Sequence, residues 1–438
     1  MNRILTLAAF LLLTFKGYSQ NWRYVPDKKV YKSLSEAFKA EEKVYNLSLY
    51  NQKITRADLK KIGTLDSLQF LYIEKCDLTT LPDEIFKLPN LRTLFLDYNS
   101  FTTLPRGIKF CKKLEYLSVH SCKLSVISPE IGELTNLREL HIGNNNISRL
   151  PVEFGNLQNL VEVSFQDNKI EYLPDQIGDL KSLEYLGLSA NRLQVLPASI
   201  GRLIRLITLD LSENYLTTLP EEIKDLQNLT RLYVSCNKFT SLPKEIKDLR
   251  SLTVLIVSCN KLTSLPEEVK DLQNLTLLNL SQNKLTSFPE EYTQFPKLKQ
   301  LFLDDNKIKI FPQEAGLLNN LEKLSLTNNS ISEFPAFISG LKSLKRLELD
   351  NNQITSLPQD FFKLANLEWL TISMNPLLNI PDEIQEFRKL KWLQIQLTRI
   401  QPDRAAEIKK LLPKDCEIAY EVRQRNMKNR IPLSTFMQ

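Results

Sequence analysis

The sequence contains few of the residues and motifs on which metal sites and enzymes depend. Its 438 residues include two histidines, His120 and His141, and six cysteines. It contains no GxSxG, no phosphate-binding loop, no HExxH and no CxxC. A metal site needs three or four ligands supported by further hydrogen bonds, and two histidines do not supply such a set. We therefore predict a protein that is not an enzyme and that binds no metal or cofactor.

Long apolar runs are also missing, except near the N-terminus. Arg3 precedes a twelve-residue apolar run, residues 4–15, and the following "KGYSQ" places Gly17 and Ser19 in the small-x-small pattern that a signal peptidase reads. The run is shorter than the about 20 apolar residues that span a bilayer. The sequence predicts a signal peptide over residues 1–19, no stable membrane insertion, and a secreted or extracytoplasmic mature chain.

The sequence also lacks a large net charge of one sign. The chain has 57 basic and 51 acidic residues, which gives a net charge of +6. This charge is small for the length of the chain and mixed in sign, so it does not provide the basic surface that nucleic acids require. We predict no nucleic-acid partner.

What the sequence does contain is a period of 23 residues. Steps of 23 from Asn237 reach an asparagine or a cysteine at fourteen positions, from Cys76 to Asn375, without an insertion. Proline stands six residues after this reference position in 13 of the 14 turns; in the exception, Pro129 is displaced by one. With the apolar residues that recur around it, the motif reads LxxLxLxxNxLxxLPxxIxxL.

Each repeat predicts one short strand and one turn of helix. In residues 231–235, Leu232 and Val234 point to one side and the residues between them to the other, as in a strand. The apolar residues after Asn237 fit a turn of α- or 3₁₀-helix on the opposite, convex side. Stacked repeats then share one parallel sheet and one core. We expect the reference asparagines to hydrogen-bond the backbone of neighbouring turns rather than a ligand.

This motif resembles the leucine-rich repeat, whose signature carries Asn or Cys at the reference position. Its 23-residue length and "LPxEI" segment are similar to those of Ras-group repeats and of secreted bacterial repeat proteins. The resemblance covers residues 44–420. It implies an α/β leucine-rich repeat solenoid, with a curved parallel sheet on the concave side and short helices or 3₁₀ turns on the convex side.

The ends of a solenoid core must be covered, and the sequence supplies a segment for each end. Residues 31–43 form a helix pattern with Ser33 or Ser35 as its cap, and residues 402–413 read as a final helix followed by a strand. The predicted organisation is a signal peptide (1–19), an N-terminal capping segment (20–43), the solenoid (44–400), a C-terminal capping helix and strand (401–420) and a flexible basic tail (421–438).

The repeat register also assigns the cysteines. Four occupy reference or apolar positions and are predicted to pack in the core: Cys76, Cys111, Cys122 and Cys416. Cys236 and Cys259 instead fall at a rim position in adjacent turns, about 4.8 Å apart. That spacing suits a disulfide, but the parallel direction of their side chains does not. The sequence leaves their pairing open.

Side chains at outward strand positions are not needed to form the core, so the residue types found there are the best indicator of function. Aromatic and apolar residues there predict a protein-binding surface. The two histidines also point to the concave side, with Tyr116 and Glu139 nearby, and are expected to contact a ligand. The predicted partner-binding residues are Tyr72, Phe95, Tyr116, His120, His141, Tyr233, Val254, Ile256, Leu277, Phe302, Trp369 and Trp392.

The sequence therefore predicts a secreted, non-enzymatic protein that recognises a macromolecule, most simply a protein, on its concave face as an adhesin, effector, scaffold or inhibitor. Two alternatives remain. Stacked concave aromatics such as Trp369 and Trp392 would also suit a glycan-binding module. An intracellular Ras-group-like signalling scaffold would be the reading if residues 1–19 were not a signal peptide. The partner's identity and the oligomeric state are not determined by the sequence.

Overall fold

The computed structural model describes residues 25–288, 295–310, 312–333 and 336–420, which form two compact units. The first unit ends at Leu252 and the second begins at Thr253. The predicted signal peptide and basic tail lie outside the described residues. Within the described parts of the chain, no helix is both long enough and apolar enough to cross a membrane.

The first unit is built on one parallel sheet in which each strand pairs with its neighbours in sequence. Its strands, β1 to β10, are Val30–Tyr31, Asn46–Tyr50, Phe70–Glu74, Thr93–Phe95, Tyr116–Ser118, Glu139–His141, Glu162–Ser164, Tyr185–Gly187, Thr208–Asp210 and Arg231–Tyr233. Its α-helices, α1 to α3, are Leu34–Phe38, Arg56–Ile62 and Asp83–Phe86. Its 3₁₀ turns are Arg106–Phe110, Pro129–Glu133, Val152–Asn156, Asp175–Asp179, Ala198–Arg202, Glu221–Asp225 and Lys244–Asp248.

The second unit repeats this arrangement and ends in a longer helix. Its strands, β11 to β18, are Val254–Ile256, Leu277–Asn279, Gln300–Phe302, Lys323–Ser325, Arg346–Glu348, Trp369–Thr371, Trp392–Gln394 and Glu417–Ala419. Its described 3₁₀ turns are Glu267–Asp271, Gln313–Leu317, Ala336–Gly340, Gln359–Lys363 and Asp382–Glu386, and its helix, α4, is Pro402–Leu411. The predicted repeat of strand and 3₁₀ turn is therefore confirmed in both units.

Alternation along each strand separates the core from the open face of the sheet, meaning the face turned away from the core. Leu232 and Val234 are fully buried, as predicted. The 3₁₀ turns follow the repeat proline: Pro243 has φ −68°, and its carbonyl accepts a hydrogen bond from the N–H of Ile246 at 3.2 Å. Because the proline ring fixes φ, it sets the start of the turn that carries Ile246 into the core.

The reference asparagines tie each repeat to the one before it. The side-chain amide of Asn191 donates to the carbonyls of Leu188 (3.1 Å) and Phe165 (3.0 Å), and its Oδ1 accepts from the N–H of Ile170 (2.9 Å). The same pattern recurs at asparagines of both units. At Cys122 the thiol takes over part of this role and donates to the carbonyl of Leu96 at 3.4 Å. The predicted structural role of this position is confirmed.

The residue before each reference position adopts a left-handed backbone conformation, which the sequence did not predict. Ala190 and Glu213 have φ of 53° and 55°, and none of the residues at this position with positive φ is a glycine. A left-handed conformation costs about 1–2 kcal/mol for a residue with a β-carbon. Where the reference residue is an asparagine, its hydrogen bonds offset this cost.

Each end segment contains a helix, but the helix at the N-terminal end, Leu34–Phe38, is shorter than the pattern over residues 31–43 predicted. Helix α1 begins after Ser33, whose hydroxyl accepts a hydrogen bond from the N–H of Glu36 at 3.2 Å. The unforeseen strand β1 pairs with β2, and Tyr31 in it is buried. At the other end, the guanidinium of Arg404 in α4 binds the carboxylate of Asp382 at 2.6 Å.

Replacement of Asn191 by alanine should destabilise the protein by about 2 kcal/mol or more, because the N–H of Ile170 and two carbonyls lose their buried partners. Asn159→Ala is the matched control: its amide donates to the carbonyl of Thr135 at an exposed site, so its loss should cost less than about 1 kcal/mol. Denaturant unfolding followed by circular dichroism measures both changes. Equal losses of stability in the two variants would show that the buried hydrogen bonds of the reference asparagine do not stabilise the stacking of the repeats.

Candidate functional site

The open face of the first unit carries four rings in a continuous stack, which we call the N-terminal ladder. Tyr72 and Phe95 stack at 4.4 Å between ring centroids, Phe95 and Tyr116 at 4.6 Å, and Tyr116 and His141 at 5.2 Å. Parallel strands lie about 4.8 Å apart, which matches the distance at which aromatic rings stack. The register aligns Tyr72 directly with Phe95. Tyr116 lies in the neighbouring column, and its ring reaches diagonally between those of Phe95 and His141.

Two carboxylates flank the last ring of this ladder. Glu139 and Glu162 are aligned neighbours on β6 and β7. The Nε2 atom of His141 lies 3.7 Å from Oε2 of Glu139 and 3.8 Å from Oε1 of Glu162, and both distances are too long for a hydrogen bond. Glu139 is 8% exposed, and its Oε2 is buried without a hydrogen-bond partner, as is Nε2 of His141.

The electrostatics of this cluster follow from its burial. Burial raises the pKa of Glu162 above its ordinary range; the imidazole of His141 opposes this rise, and the carboxylate of Glu139 adds to it. Burial likewise raises the pKa of Tyr116, with a further contribution from Glu139. The site is thus an aromatic surface with negative charge that the protein itself leaves poorly balanced.

His120, the second predicted histidine, has a different environment. Its ring meets Tyr98 edge-on at 6.1 Å, and its backbone N–H donates to the carboxylate of Asp97 at 2.7 Å. The hydroxyl of Ser118 donates to the same carboxylate at 2.6 Å. Asp304 and Asp350 bind the backbone of the next repeat in the same way. Among the described residues, no group of three or more His, Cys, Asp or Glu side chains could hold a metal ion.

The predicted apolar residues in the middle of the chain are less exposed than expected. Tyr233, in the first unit, is 8% exposed, and Ile256, in the second, is 6% exposed; Tyr72 in the ladder is 7% exposed. The sequence-based expectation of exposed columns is wrong for these three, because outward side chains in aligned strands cover one another. Val254, Leu277 and Phe302 are half-buried.

The predicted tryptophans form a second stack in the second unit. The rings of Trp369 and Trp392 are 5.1 Å apart and nearly parallel, and the guanidinium of Arg346 lies 4.5 Å above Trp369. Arg346 also binds the carboxylate of Glu348 at 2.6 Å, and Lys323 binds it at 3.2 Å. Although burial alone would raise it, these cations hold the pKa of Glu348 below its ordinary value. Here the protein supplies its own cation.

Burial makes three of the cysteine thiols unreactive. Burial raises the pKa of Cys111 to about 12 and those of Cys122 and Cys416 to about 11, so these thiols are poor nucleophiles at neutral pH. Cys236 belongs to the first unit and Cys259 to the second, and both occupy the left-handed position before a reference asparagine. Whether these two cysteines pair stays open.

Sequence reasoning missed the pair formed by Glu139 and Glu162. Both occupy the first outward position of their strands, 23 residues apart, so the register contained the signal. What it did not show is the distance of their oxygens from His141. A column-by-column reading of charge, in addition to aromatic residues, would have found the pair.

This periodic architecture, with its asparagine bonds and its open sheet face, defines the leucine-rich repeat proteins, and the chain belongs to this family. The family model described as "Leucine-rich repeat region" matches residues 44–146 and 175–261. The model described as "Leucine rich repeat" matches residues 135–193, 250–308, 296–354 and 342–400.

Among solved structures, the chain is similar to a leucine-rich repeat protein of Leptospira interrogans. The two are 36% identical, the match covers 89% of this chain and 99% of that one, and the TM-score is 0.77. The plant peptide hormone receptor RGFR1 in complex with RGF2 is 26% identical over 86% of this chain and 70% of that one (TM-score 0.64). The functional domain of InlJ from Listeria monocytogenes, 23% identical over 83% and 74% of the chains, shares the fold (TM-score 0.64). No curated protein matches the sequence.

Glu162→Gln should stabilise the protein at pH 7, and this advantage over the wild type should shrink as the pH falls toward 4. Because the pKa of Glu162 is raised on folding, the folded wild type binds more protons and loses stability as the pH rises above the ordinary glutamate value of 4.5. The substitution removes this loss. Thermal unfolding at a series of pH values measures it.

Glu133→Gln is the control, and its effect on the stability of the protein at pH 7 should have the opposite sign. Glu133 pairs with Lys112 at 2.7 Å, and this cation lowers the pKa of the carboxyl, so its contribution is present at pH 7 and disappears in acid. If Glu162→Gln behaved like Glu133→Gln, the carboxylate of Glu162 would be compensated in the folded protein after all.

Proposed function

We propose that this protein is a secreted, non-enzymatic binding protein that recognises a protein partner on the open face of its sheet, which the repeat pattern predicts to be concave. The main contact is the N-terminal ladder. The observation that carries this proposal is the stack of Tyr72, Phe95, Tyr116 and His141 on the open face of the sheet.

Pairing of the strands does not require aromatic rings in the column that holds Phe95 and His141. In the next repeats, Ser164 and Gly187 occupy the position that Phe95 and His141 hold, and the strands there pair equally well. The rings of Phe95, Tyr116 and His141 are half-buried, so their remaining surface is available to a partner. Rigid aromatic rings supply large contact areas at low entropic cost and often dominate the energy of protein interfaces.

The comparisons support a partner that is a protein or a peptide. RGFR1, whose fold the chain shares at 26% identity, was solved in complex with RGF2. Secretion is supported by the signal-peptide pattern of residues 1–19. Within this proposal, the protein acts as an adhesin, effector, scaffold or inhibitor, and its partner determines which.

A glycan-binding function is the second candidate, and the half-buried Trp369 and Trp392 favour it. Sugar rings bind by stacking on such surfaces, but Arg346 already covers Trp369. Binding to a polysaccharide array that Trp392→Ala abolishes would support this function over recognition of a protein.

Simultaneous replacement of Phe95 and Tyr116 by alanine should reduce capture of the partner at least about tenfold, because the variant removes the two central rings of the ladder. The measurement is affinity capture by the full chain from its native surroundings, followed by quantitative mass spectrometry. Phe110→Ala with Tyr172→Ala is the matched control, since it removes the same two residue types from exposed positions away from the sheet.

Circular dichroism separates binding from folding in this experiment. Both double variants should still unfold cooperatively; the ladder variant should have a lower midpoint because it loses two half-buried, stacked rings, but it should remain folded at the temperature of the capture experiment. Capture that is equal in the two double variants would contradict the assignment of the partner site to the ladder.

A further inference from the structure

Among the described residues, Glu139 and Glu162 form no ion pair with a lysine or an arginine. Their carboxylates are neighbours on a face where Glu139 is more than nine-tenths buried. Among the described residues, the one basic group in ion-pair contact with either of them is the imidazole of His141, at 3.7 and 3.8 Å. Burial of a charge without a partner is costly, so proteins rarely retain it without a function.

The second unit shows what such a cluster looks like when it is complete. There an aromatic ring, a guanidinium and a carboxylate are joined: Arg346 lies 4.5 Å above Trp369 and binds Glu348 at 2.6 Å. The cation both covers the ring and neutralises the acid. In the described part of the first unit, the ring and the acids are present, but no lysine or arginine is in ion-pair contact with Glu139 or Glu162.

We propose that the partner supplies this cation, as an arginine side chain that stacks on the exposed end of the N-terminal ladder, at Tyr116 and His141, and pairs with Glu139 and Glu162. This inference rests on the proposed function and assigns the chemistry of its partner. The occupant is a protein segment that presents at least one arginine.

Arginine fits this site better than lysine does. Its guanidinium is planar, so it can stack on a ring while its N–H groups point sideways to carboxylates, and it loses its hydration more readily than an ammonium group. Two carboxylates on neighbouring strands lie about 4.8 Å apart at their backbones. A group with several N–H donors in one plane can therefore reach both.

Contact with the buried Oε2 of Glu139 is not required. The side chain of Glu162 keeps 15% of its surface exposed and that of His141 keeps 23%, so a guanidinium can reach them from the open face. Within a few ångströms its charge then acts on both carboxylates, because the buried surroundings screen it weakly. Binding should therefore depend on both glutamates.

Selection from a phage library of random dodecapeptides on the full chain tests this inference. Arginine should be enriched among the selected peptides. For the tightest peptide, replacement of its arginine by citrulline, which has nearly the same shape but no charge, should weaken binding at least about tenfold by fluorescence anisotropy. Replacement by lysine should weaken it less, yet measurably.

Two double variants make the assignment specific. Glu139→Gln with Glu162→Gln should lose the same factor of about ten or more for the arginine peptide, and should no longer distinguish it from the citrulline peptide. Glu133→Gln with Asp175→Asn changes the net charge equally at exposed sites away from the sheet and should bind like the wild type.

Several results would overturn the inference. They are a lack of any enriched peptide, peptides that bind equally with citrulline, and equal binding of lysine and arginine. Peptides that lose binding to the Phe95→Ala, Tyr116→Ala variant but do not depend on arginine would leave the proposed function standing and refute its assignment to arginine. If the Phe95→Ala, Tyr116→Ala variant bound the peptides as tightly as the wild type does, the proposed site itself would be refuted.

Discussion

The bond between each reference asparagine and the preceding repeat is the interaction on which the rest of the structure depends. It joins a side chain to backbone groups 21 and 26 residues earlier, as at Asn191, so it holds only while the 23-residue spacing is kept. It also offsets the cost of the left-handed residue that precedes the asparagine, such as Ala190. The constant register of the strands is a consequence of this bond, and so is everything aligned by that register.

On the open face, the register of the strands arranges side chains from successive repeats in columns. Side chains 23 residues apart lie side by side at the spacing of the strands, about 4.8 Å. Rings in neighbouring strands therefore stack, as Tyr72 and Phe95 do, and acids in one column are forced together, as Glu139 and Glu162 are. The scaffold imposes proximity, while the residue types decide whether that proximity is favourable.

Much of the fold could be predicted from the sequence, because it depends on features that recur in every repeat. The alternation of Leu232 and Val234 and the turn after Pro243 are of this kind, and Ser33 as a helix cap follows from local chemistry. The left-handed residues could not be predicted, since no glycine marks them. The low exposure of Tyr233 depends on neighbouring repeats, and so does the geometry around His141, which no single repeat encodes.

Aromatic residues mark candidate binding sites in both units, and the balance of charge around the rings distinguishes the two stacks. In the second unit, Arg346 stacks on the ring of Trp369 and pairs with the acid of Glu348. Within the described parts of the chain, Oε2 of Glu139 has no hydrogen-bond partner, and His141 is its one basic neighbour within ion-pair distance. A solenoid tolerates this local cost because each repeat contacts its neighbours alone, and the leucine core and asparagine bonds elsewhere are unaffected. Uncompensated charge beside stacked rings is therefore a stronger mark of a binding site here than aromatic residues alone.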